Sequence, residues 1–165
     1  MSGSAAAVAA LAENPDGVVE AIAAKAGVSS RVVLDHLPTG AAVPVHQEKF
    51  ADIWRELTGW GEVLFIVHTS DIVLECVGAL PDGSYGHGYF NIHGDSPIGG
   101  HIKADRCAGI YFVDRMFHGR RSLSVQFMNS DGEAMFKVFV RRDAARELLP
   151  DQVEAFEALR SKMAT

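Results

Sequence analysis

Histidines are the first candidates for chemistry in this chain, because seven of them occur among 165 residues. Imidazole titrates near neutral pH and is a common metal ligand. We predict that Tyr85–His93 forms one strand, which places His87 and His93 on the same face. The spacing supplies neither a third ligand nor an orienting partner, so this pair does not predict a dedicated zinc or iron site.

His68 and His101 have different surroundings. His68 ends an apolar strand on the face that carries Leu64 and Ile66, and His101 opens a strand on the face of Lys103. An imidazole beside apolar surface and basic residues suits a haem, which needs an axial ligand, an apolar wall and cations for its propionates. The alternative is a partly buried histidine that bonds to the backbone.

Tyrosine and methionine supply weaker candidates. Tyr111 lies within a predicted strand, where it is either a tyrosinate ligand for ferric haem or a buried aromatic residue. Met116, Met128 and Met135 occur near phenylalanines and suit either an adaptable ligand pocket or a core. No nucleophile elbow, phosphate loop, dinucleotide fingerprint or zinc-protease motif occurs, so the sequence favours binding over turnover.

The first 40 residues are predicted to be helical. We expect helices over Ser4–Ala12 and Val18–Ala26, with Gly27 ending the second and Ser29 capping a third. This arrangement is similar to a helix-turn-helix. However, this segment contains fewer basic residues than acidic ones. The two basic residues are Lys25 and Arg31, and the four acidic residues are Glu13, Asp16, Glu20 and Asp35. We therefore predict a hairpin that packs on the main domain and no binding to nucleic acid.

The chain is predicted to be an α+β protein with a broad antiparallel sheet, flanking helices and an N-terminal helical hairpin. Residues 1–40 form the predicted helical segment, and residues 41–165 form the predicted α+β domain. We expect a linker over Pro38–Val45, an amphipathic helix over His46–Thr58 and a final helix from Pro150. The predicted strands are short and joined by hairpin turns, which favours an antiparallel sheet. They are Val63–His68, Ile72–Val77, Tyr85–His93, His101–Ala104, Ile110–Asp114, Leu123–Asn129 and Glu133–Arg141.

The hairpin of the last two strands has a predicted core face and a mixed face. Strict alternation places Phe127 and Ala134 on the core face and Met128, Met135 and Lys137 on the other. The mixed face is expected to be covered by another part of the protein.

Composition limits the function classes. The chain is 48% hydrophobic with a formal charge of −6, which excludes intrinsic disorder and argues against nucleic-acid or anionic-membrane partners. No apolar run approaches the ~20 residues of a membrane span. Cys76 and Cys107 are expected to be reduced thiols, so we predict a soluble cytoplasmic protein without membrane insertion.

Several separate motifs, in order, resemble the cytosolic haem-utilisation carriers of the HutX/ChuX type. The similarity runs from about residue 8 to residue 163. The matching stretches are Trp60–Val63, Ile66–Thr69 with Asp71, Gly88–Asn91, Gly100–Ala104, Gln126–Phe127, Asn129–Lys137 and Arg142–Asp143. The family is similar in fold to one half of the larger HemS-type haem-transport proteins.

This resemblance implies a homodimeric carrier that takes up haem as cargo in the cytoplasm and passes it to a haem-degrading or iron-releasing enzyme. His68 and His101 match the family's two haem-associated histidines, and Tyr111 would be an alternative iron ligand. Candidate propionate contacts are Lys103, Arg106, Arg115 and Lys137, with Met128 in the pocket. Two alternatives remain open, which are a haem-degrading enzyme and a haem-responsive regulator that uses the N-terminal helices. Arg141 occupies a position where the family usually has glycine. The resemblance therefore does not decide which residues contact the propionates in this region.

Overall fold

The computed structural model describes residues 2–164, and the chain begins with three short helices. They are α1 (Gly3–Glu13), α2 (Val19–Ala26) and α3 (Ser30–Asp35). The hydroxyl groups of Ser2 and Ser29 cap α1 and α3 by accepting from peptide N–H groups. Gly27 ends α2 with φ at 68°, a left-handed conformation that glycine adopts without strain.

In the part of the chain that the structure describes, nine strands form two antiparallel sheets, which confirms the predicted α+β class. Six strands form a large sheet in the order β1-β7-β8-β9-β2-β3, and three form a small sheet in the order β4-β5-β6. The strands are β1 (Ala42–Val45), β2 (Glu62–His68), β3 (Val73–Ala79), β4 (Gly83–Gly86), β5 (Tyr89–Ile92), β6 (Gly100–Ile102), β7 (Cys107–Phe117), β8 (Arg120–Asn129) and β9 (Ala134–Phe139).

Two helices and the small sheet cover one face of the large sheet. α4 (Phe50–Leu57) and α5 (Pro150–Met163) pack there, and short 3-10 turns occur at Gln47–Lys49, Thr58–Trp60 and Ala104–Arg106. The core between them is aromatic, and the ring of Phe50 meets the rings of Phe90 and Phe127 edge-on. Within residues 2–164, no helix is long and apolar enough to cross a membrane.

The N-terminal helices cover only part of the opposite face. Ile22, Val33 and Leu34 form a second hydrophobic cluster with Tyr111 and Met128 of the sheet. α3 has six residues, and its Arg31 bonds to the Ala108 carbonyl and the Tyr111 hydroxyl. The helices therefore pack against the sheet, as predicted, and α3 uses its apolar face and its arginine in that packing.

The predicted linker over Pro38–Val45 is wrong in its second half, where the structure has β1. This strand pairs with β7 from Ala42 opposite Val113 to Val45 opposite Ile110. Pro44 is tolerated because β1 lies at the edge of the sheet, where a missing N–H group costs no ladder bond. The proline indicated a linker, although it is equally compatible with an edge strand.

The predicted single strand over Tyr85–His93 is a hairpin of two strands. His87 and Gly88 form its two-residue turn with φ values of 53° and 82°. Positive φ at both positions is typical of the turn that matches the twist of a hairpin. His87 therefore lies in the turn, and its predicted alignment with His93 along one strand is wrong.

A register shift corrects the predicted faces of the β8–β9 hairpin. Phe127 pairs with Phe136, but Met128 pairs with Ala134, so one extra residue lies in β9. Met135 consequently packs against the aromatic core, and Ala134 packs with Met128 in the second cluster. The prediction from strict alternation assigned Ala134 and Met135 to the wrong faces. It did not include the β-bulge, which reverses the facing of the residues beyond it.

Asp114→Asn is expected to lower the free energy of unfolding by about 1–3 kcal/mol at pH 7. The Asp114 carboxylate accepts hydrogen bonds from Arg121 at 3.0 and 2.9 Å and from Arg160 of α5 at 3.2 Å. These bonds lower the pKa of Asp114, chiefly through Arg121. The contribution is therefore complete above the unfolded-state pKa of about 4 and is lost as pH falls towards the folded-state value.

Urea unfolding of the wild type and Asp114→Asn at a series of pH values measures this difference. Asp52→Asn is a control, because Asp52 is exposed and pairs only along its own helix with Arg55. A wild-type advantage that persists unchanged to pH 2 would contradict the assignment.

Candidate functional site

A cavity of about 500 Å³ lies on the part of the large sheet that the N-terminal helices leave uncovered. Its wall from the helical segment consists of Val18, Val19 and Glu20 at the start of α2. The sheet supplies the rest from β2, β3, β7, β8, β9 and the residues after β9. Its apolar lining is Leu64, Ile66, Val73, Val77, Val113, Phe117, Phe139 and Val140, and its polar lining is His68, Glu75, Arg115, Ser122, Ser124, Gln126, Lys137, Arg141 and Arg142.

Strand pairing divides the cavity floor into rows across the sheet. One row pairs Lys137 of β9 with Gln126 of β8 and Ile66 of β2. The next row along the strands pairs Phe139 with Ser124 and Leu64. His68 therefore lies at the end of β2, beyond the Lys137 row. Arg115, Arg141 and Arg142 lie at the opposite end of the cavity. The two ends of the cavity differ in chemistry, and apolar side chains separate them.

Glu20 of α2 joins two sheet residues at the histidine end. Its carboxylate accepts from Lys137 Nζ at 2.5 and 2.8 Å, and its Oε1 atom lies 3.4 Å from His68 Nδ1. The Lys137 side chain is only 8% exposed, so it needs a counter-charge. Glu20 supplies that charge and faces His68 at the same time.

Three guanidinium groups lie around the other end. Arg115 donates to the carbonyl oxygens of Gly17 at 2.9 Å and Pro15 at 2.8 Å, which ties the sheet to the loop before α2. Burial lowers the pKa of Arg115. Arg141 Nη1 lies 3.7 Å from the exposed Glu62 carboxylate, and Arg142 donates to backbone oxygens. Carbonyl oxygens carry no full counter-charge, so these bonds leave the guanidinium charges of Arg115 and Arg142 unneutralised, whereas Arg141 lies near a carboxylate.

His101 lines a second cavity, of about 300 Å³, on the opposite face of the large sheet. Phe65 and Val67 point into this cavity, whereas His68 points into the first, since successive side chains of β2 alternate. His101 Nδ1 lies 2.6 Å from Asn91 Oδ1. The structure therefore does not bring the two predicted iron ligands together within one chain.

Lys103 and Arg106 lie on the His101 side of the molecule. Lys103 lines the second cavity, and its ammonium group lies 4.9 Å from the centre of the Tyr89 ring. Arg106 is exposed and bonds to Asp131 at 3.0 Å. Of the four predicted propionate contacts, only Arg115 and Lys137 line the larger cavity.

Tyr111 and Met128 are buried beneath the N-terminal helices, outside the lining of both cavities. The Tyr111 hydroxyl donates to Asp35 at 2.5 Å and accepts from Arg31 at 3.0 Å. Burial, together with the bond to Asp35, raises the pKa of Tyr111. Both partners would have to be displaced before this oxygen ligated iron, and the role of Tyr111 as an iron ligand stays a prediction.

Sequence reasoning missed Glu20, Ser124 and Arg142 as cavity residues. Glu20 is 117 positions from Lys137, and no local pattern signals such a contact. Ser124 was visible as a polar position on the mixed face of β8, opposite Phe139. That small side chain leaves room on the floor of the cavity, which a larger residue would fill.

Comparison with known proteins gives a family match over most of the chain. The family model "Haem utilisation ChuX/HutX" matches residues 43–159. The intracellular haem transport protein HutX of Vibrio cholerae is 29% identical over 153 residues, which are 92% of this chain and 79% of that protein.

Solved structures agree in fold over nearly the whole chain. A crystal structure of an Agrobacterium tumefaciens protein is 60% identical, with a TM-score of 0.90 over 98% of this chain and 91% of that one. The haem-binding protein ChuX is 37% identical, with a TM-score of 0.87 over 96% and 99% of the two chains. Apo-PhuS of Pseudomonas aeruginosa, at 17% identity and a TM-score of 0.73, shares the fold, and this chain spans 46% of its length.

Tyr111→Phe is expected to lower the free energy of unfolding by about 1–3 kcal/mol. The substitution keeps the buried ring and removes the hydroxyl that Asp35 and Arg31 share. Chemical denaturation of both proteins measures the change. Tyr85→Phe is the matched control, since Tyr85 is exposed and the expected change there is below about 0.5 kcal/mol. Equal stability of Tyr111→Phe and the wild type would contradict the hydrogen bonds described.

Proposed function

Because the chain belongs to the ChuX/HutX family of haem-utilisation proteins, we propose that it is an intracellular haem carrier. It takes up haem in the cytoplasm and passes it to a haem-degrading or iron-releasing enzyme. The observation that supports this best is the larger cavity, which joins an imidazole end to an arginine end through apolar walls.

Each part of the cavity suits one part of haem. His68 provides an imidazole for the iron, and Leu64, Ile66 and Phe139 provide apolar surface for the macrocycle. Arg141 and Arg142 provide guanidinium groups for the propionates, which bind such planar donors well. Lys137 is paired with Glu20, so we assign the propionates to the arginine end.

Release matters as much as binding for a carrier. The apolar lining extends to Val73 and Val77 on the outer strand β3, and both side chains are exposed. A site of this kind can load and unload haem across the part of the sheet face that the N-terminal helices leave uncovered. A dissociation constant near micromolar, about −8 kcal/mol, would permit transfer to a tighter-binding recipient.

His68→Ala is expected to weaken haem binding at least tenfold, because it removes the proposed axial ligand, and tenfold corresponds to about 1.4 kcal/mol. Haemin titration followed by the Soret band measures the affinity and the stoichiometry, which should be one haem per chain. His101→Ala is expected to have a smaller effect, since His101 lines the cavity on the other face.

Three results would contradict this assignment. A normal Soret shift in His68→Ala would move the iron elsewhere, and equal losses in both variants would show that the second cavity takes part. Loss of the band with a tetrapyrrole product, when a reductant is added, would make the protein a haem-degrading enzyme.

We further propose that the protein is a homodimer that uses the free edge of β3. β3 ends the sheet, and large apolar side chains there are exposed, including Leu74 at 55%. Ile72, which precedes β3, is exposed as well, whereas Val73 and Val77 point to the opposite face and line the cavity. An unprotected apolar edge strand favours pairing with another strand, and two copies related by a two-fold axis can pair the same edge.

Leu74→Lys is expected to shift the protein from dimer to monomer, because a charge on an edge strand opposes strand pairing. Size-exclusion chromatography with light scattering measures the mass at several concentrations. Val8→Lys serves as the control, since Val8 is equally exposed but lies on α1. A wild type that is monomeric at all concentrations, or a Leu74→Lys variant that stays dimeric, would refute this interface.

A further inference from the structure

Glu20 is the one acidic residue that the helical segment contributes to the larger cavity. It lies in the first turn of α2, next to Val18 and Val19 of the cavity wall and close to the floor row that contains Lys137. Two of its contacts reach the sheet, to Lys137 Nζ at 2.5 Å and to His68 Nδ1 at 3.4 Å. The family match covers residues 43–159, so Glu20 lies outside the region that the match describes.

We propose that Glu20 is a positioning residue for the haem ligand, with its carboxylate facing Nδ1–H of His68 so that Nε2 is left to coordinate iron. This inference rests on the proposed function. In a neutral imidazole one ring nitrogen carries the proton and the other carries the lone pair. A carboxylate partner selects the tautomer, fixes the ring orientation and makes the metal-bound nitrogen a stronger donor.

Lys137 holds the carboxylate in place for this role. Its ammonium group contacts both Glu20 oxygens and is itself almost fully buried. The carboxylate is therefore anchored from the floor of the sheet while one of its oxygens faces His68. This arrangement also gives the N-terminal helices a function, because α2 supplies the Glu20 carboxylate that positions His68 of β2.

A purely structural role for Glu20 makes a different prediction. In that case the ion pair only attaches α2 to the sheet, and its loss changes stability and haem affinity without altering the iron–imidazole bond. The measurement must therefore report on the bond itself. The iron–histidine stretching band of the ferrous haem complex and the reduction potential of the bound iron both do so, because each depends on the donor strength of the ligand.

The experiment compares the full-length wild type, Glu20→Gln and Glu13→Gln as haemin complexes, which are also studied after reduction with dithionite. Glu20→Gln is expected to lower the iron–histidine stretching frequency, to raise the reduction potential and to weaken haem binding about tenfold. Glu13→Gln removes the same charge from the helical segment, where Glu13 is exposed, pairs with Lys25 and lies outside the cavity lining. It is expected to leave the stretching frequency at the wild-type value.

Glu20→Gln also leaves Lys137 without its counter-charge, so the double variant Glu20→Gln/Lys137→Met separates folding from positioning. Removing both members of a buried pair is tolerated better than removing one. The double variant is expected to show the same lowered frequency as Glu20→Gln while unfolding at a temperature closer to that of the wild type.

The outcomes separate this inference from the function on which it rests. A histidine band that disappears in His68→Ala, but keeps its frequency in both Glu20 variants, overturns the positioning role and leaves the carrier standing. Equal shifts in Glu20→Gln and Glu13→Gln also overturn it, because they would reflect charge alone and not the contact with His68. A wild type that binds haem without any band that depends on His68 overturns the positioning role together with the assignment of His68 as the ligand. A wild type without saturable haem binding overturns the carrier function itself.

Discussion

The two faces of the six-stranded sheet are covered unequally, because helices and the small sheet cover one face completely and the other face is covered only in part. The rest of the structure depends on this difference. α4, α5 and the small sheet close one face over an aromatic core. On the other face, the apolar contacts of the three short helices lie mainly on β7 and β8, and the β2–β3 side stays uncovered. The floor row that contains Gln126 and Lys137 borders this uncovered part. The protein therefore keeps a stable core and an accessible cavity on opposite sides of the same strands.

Much of this architecture could be predicted from the sequence, because the signals are local. Apolar periodicity and turn residues indicated the antiparallel sheet, and Gly27 and Ser29 indicated the helix ends that the structure shows. The excess of acidic residues near the N-terminus favoured packing over DNA binding, and the structure shows α3 packed on the sheet. His68 was placed on the correct face from its alternation with Leu64 and Ile66.

The parts that could not be predicted depend on register and on long-range contacts. One extra residue in β9 exchanges the faces of Ala134 and Met135, and no residue type announces such a bulge. The hydrogen bonds of the Tyr111 hydroxyl group with Asp35 and Arg31 could not be predicted either, because these partners lie 76 and 80 positions away. The separation of His68 and His101 arises because the small sheet packs behind β2, which spacing along the chain does not reveal.

The contact between Glu20 and Lys137 also has a consequence for the order in which the protein forms. The two residues are 117 positions apart, so α2 leaves the ribosome long before its partner strand is made. Isolated helices of eight residues have little stability of their own, and the chain must close a long loop before this wall is supported. We therefore expect the cavity to be assembled late in folding, after the β7–β8 and β8–β9 hairpins have supplied the surface on which α2 docks.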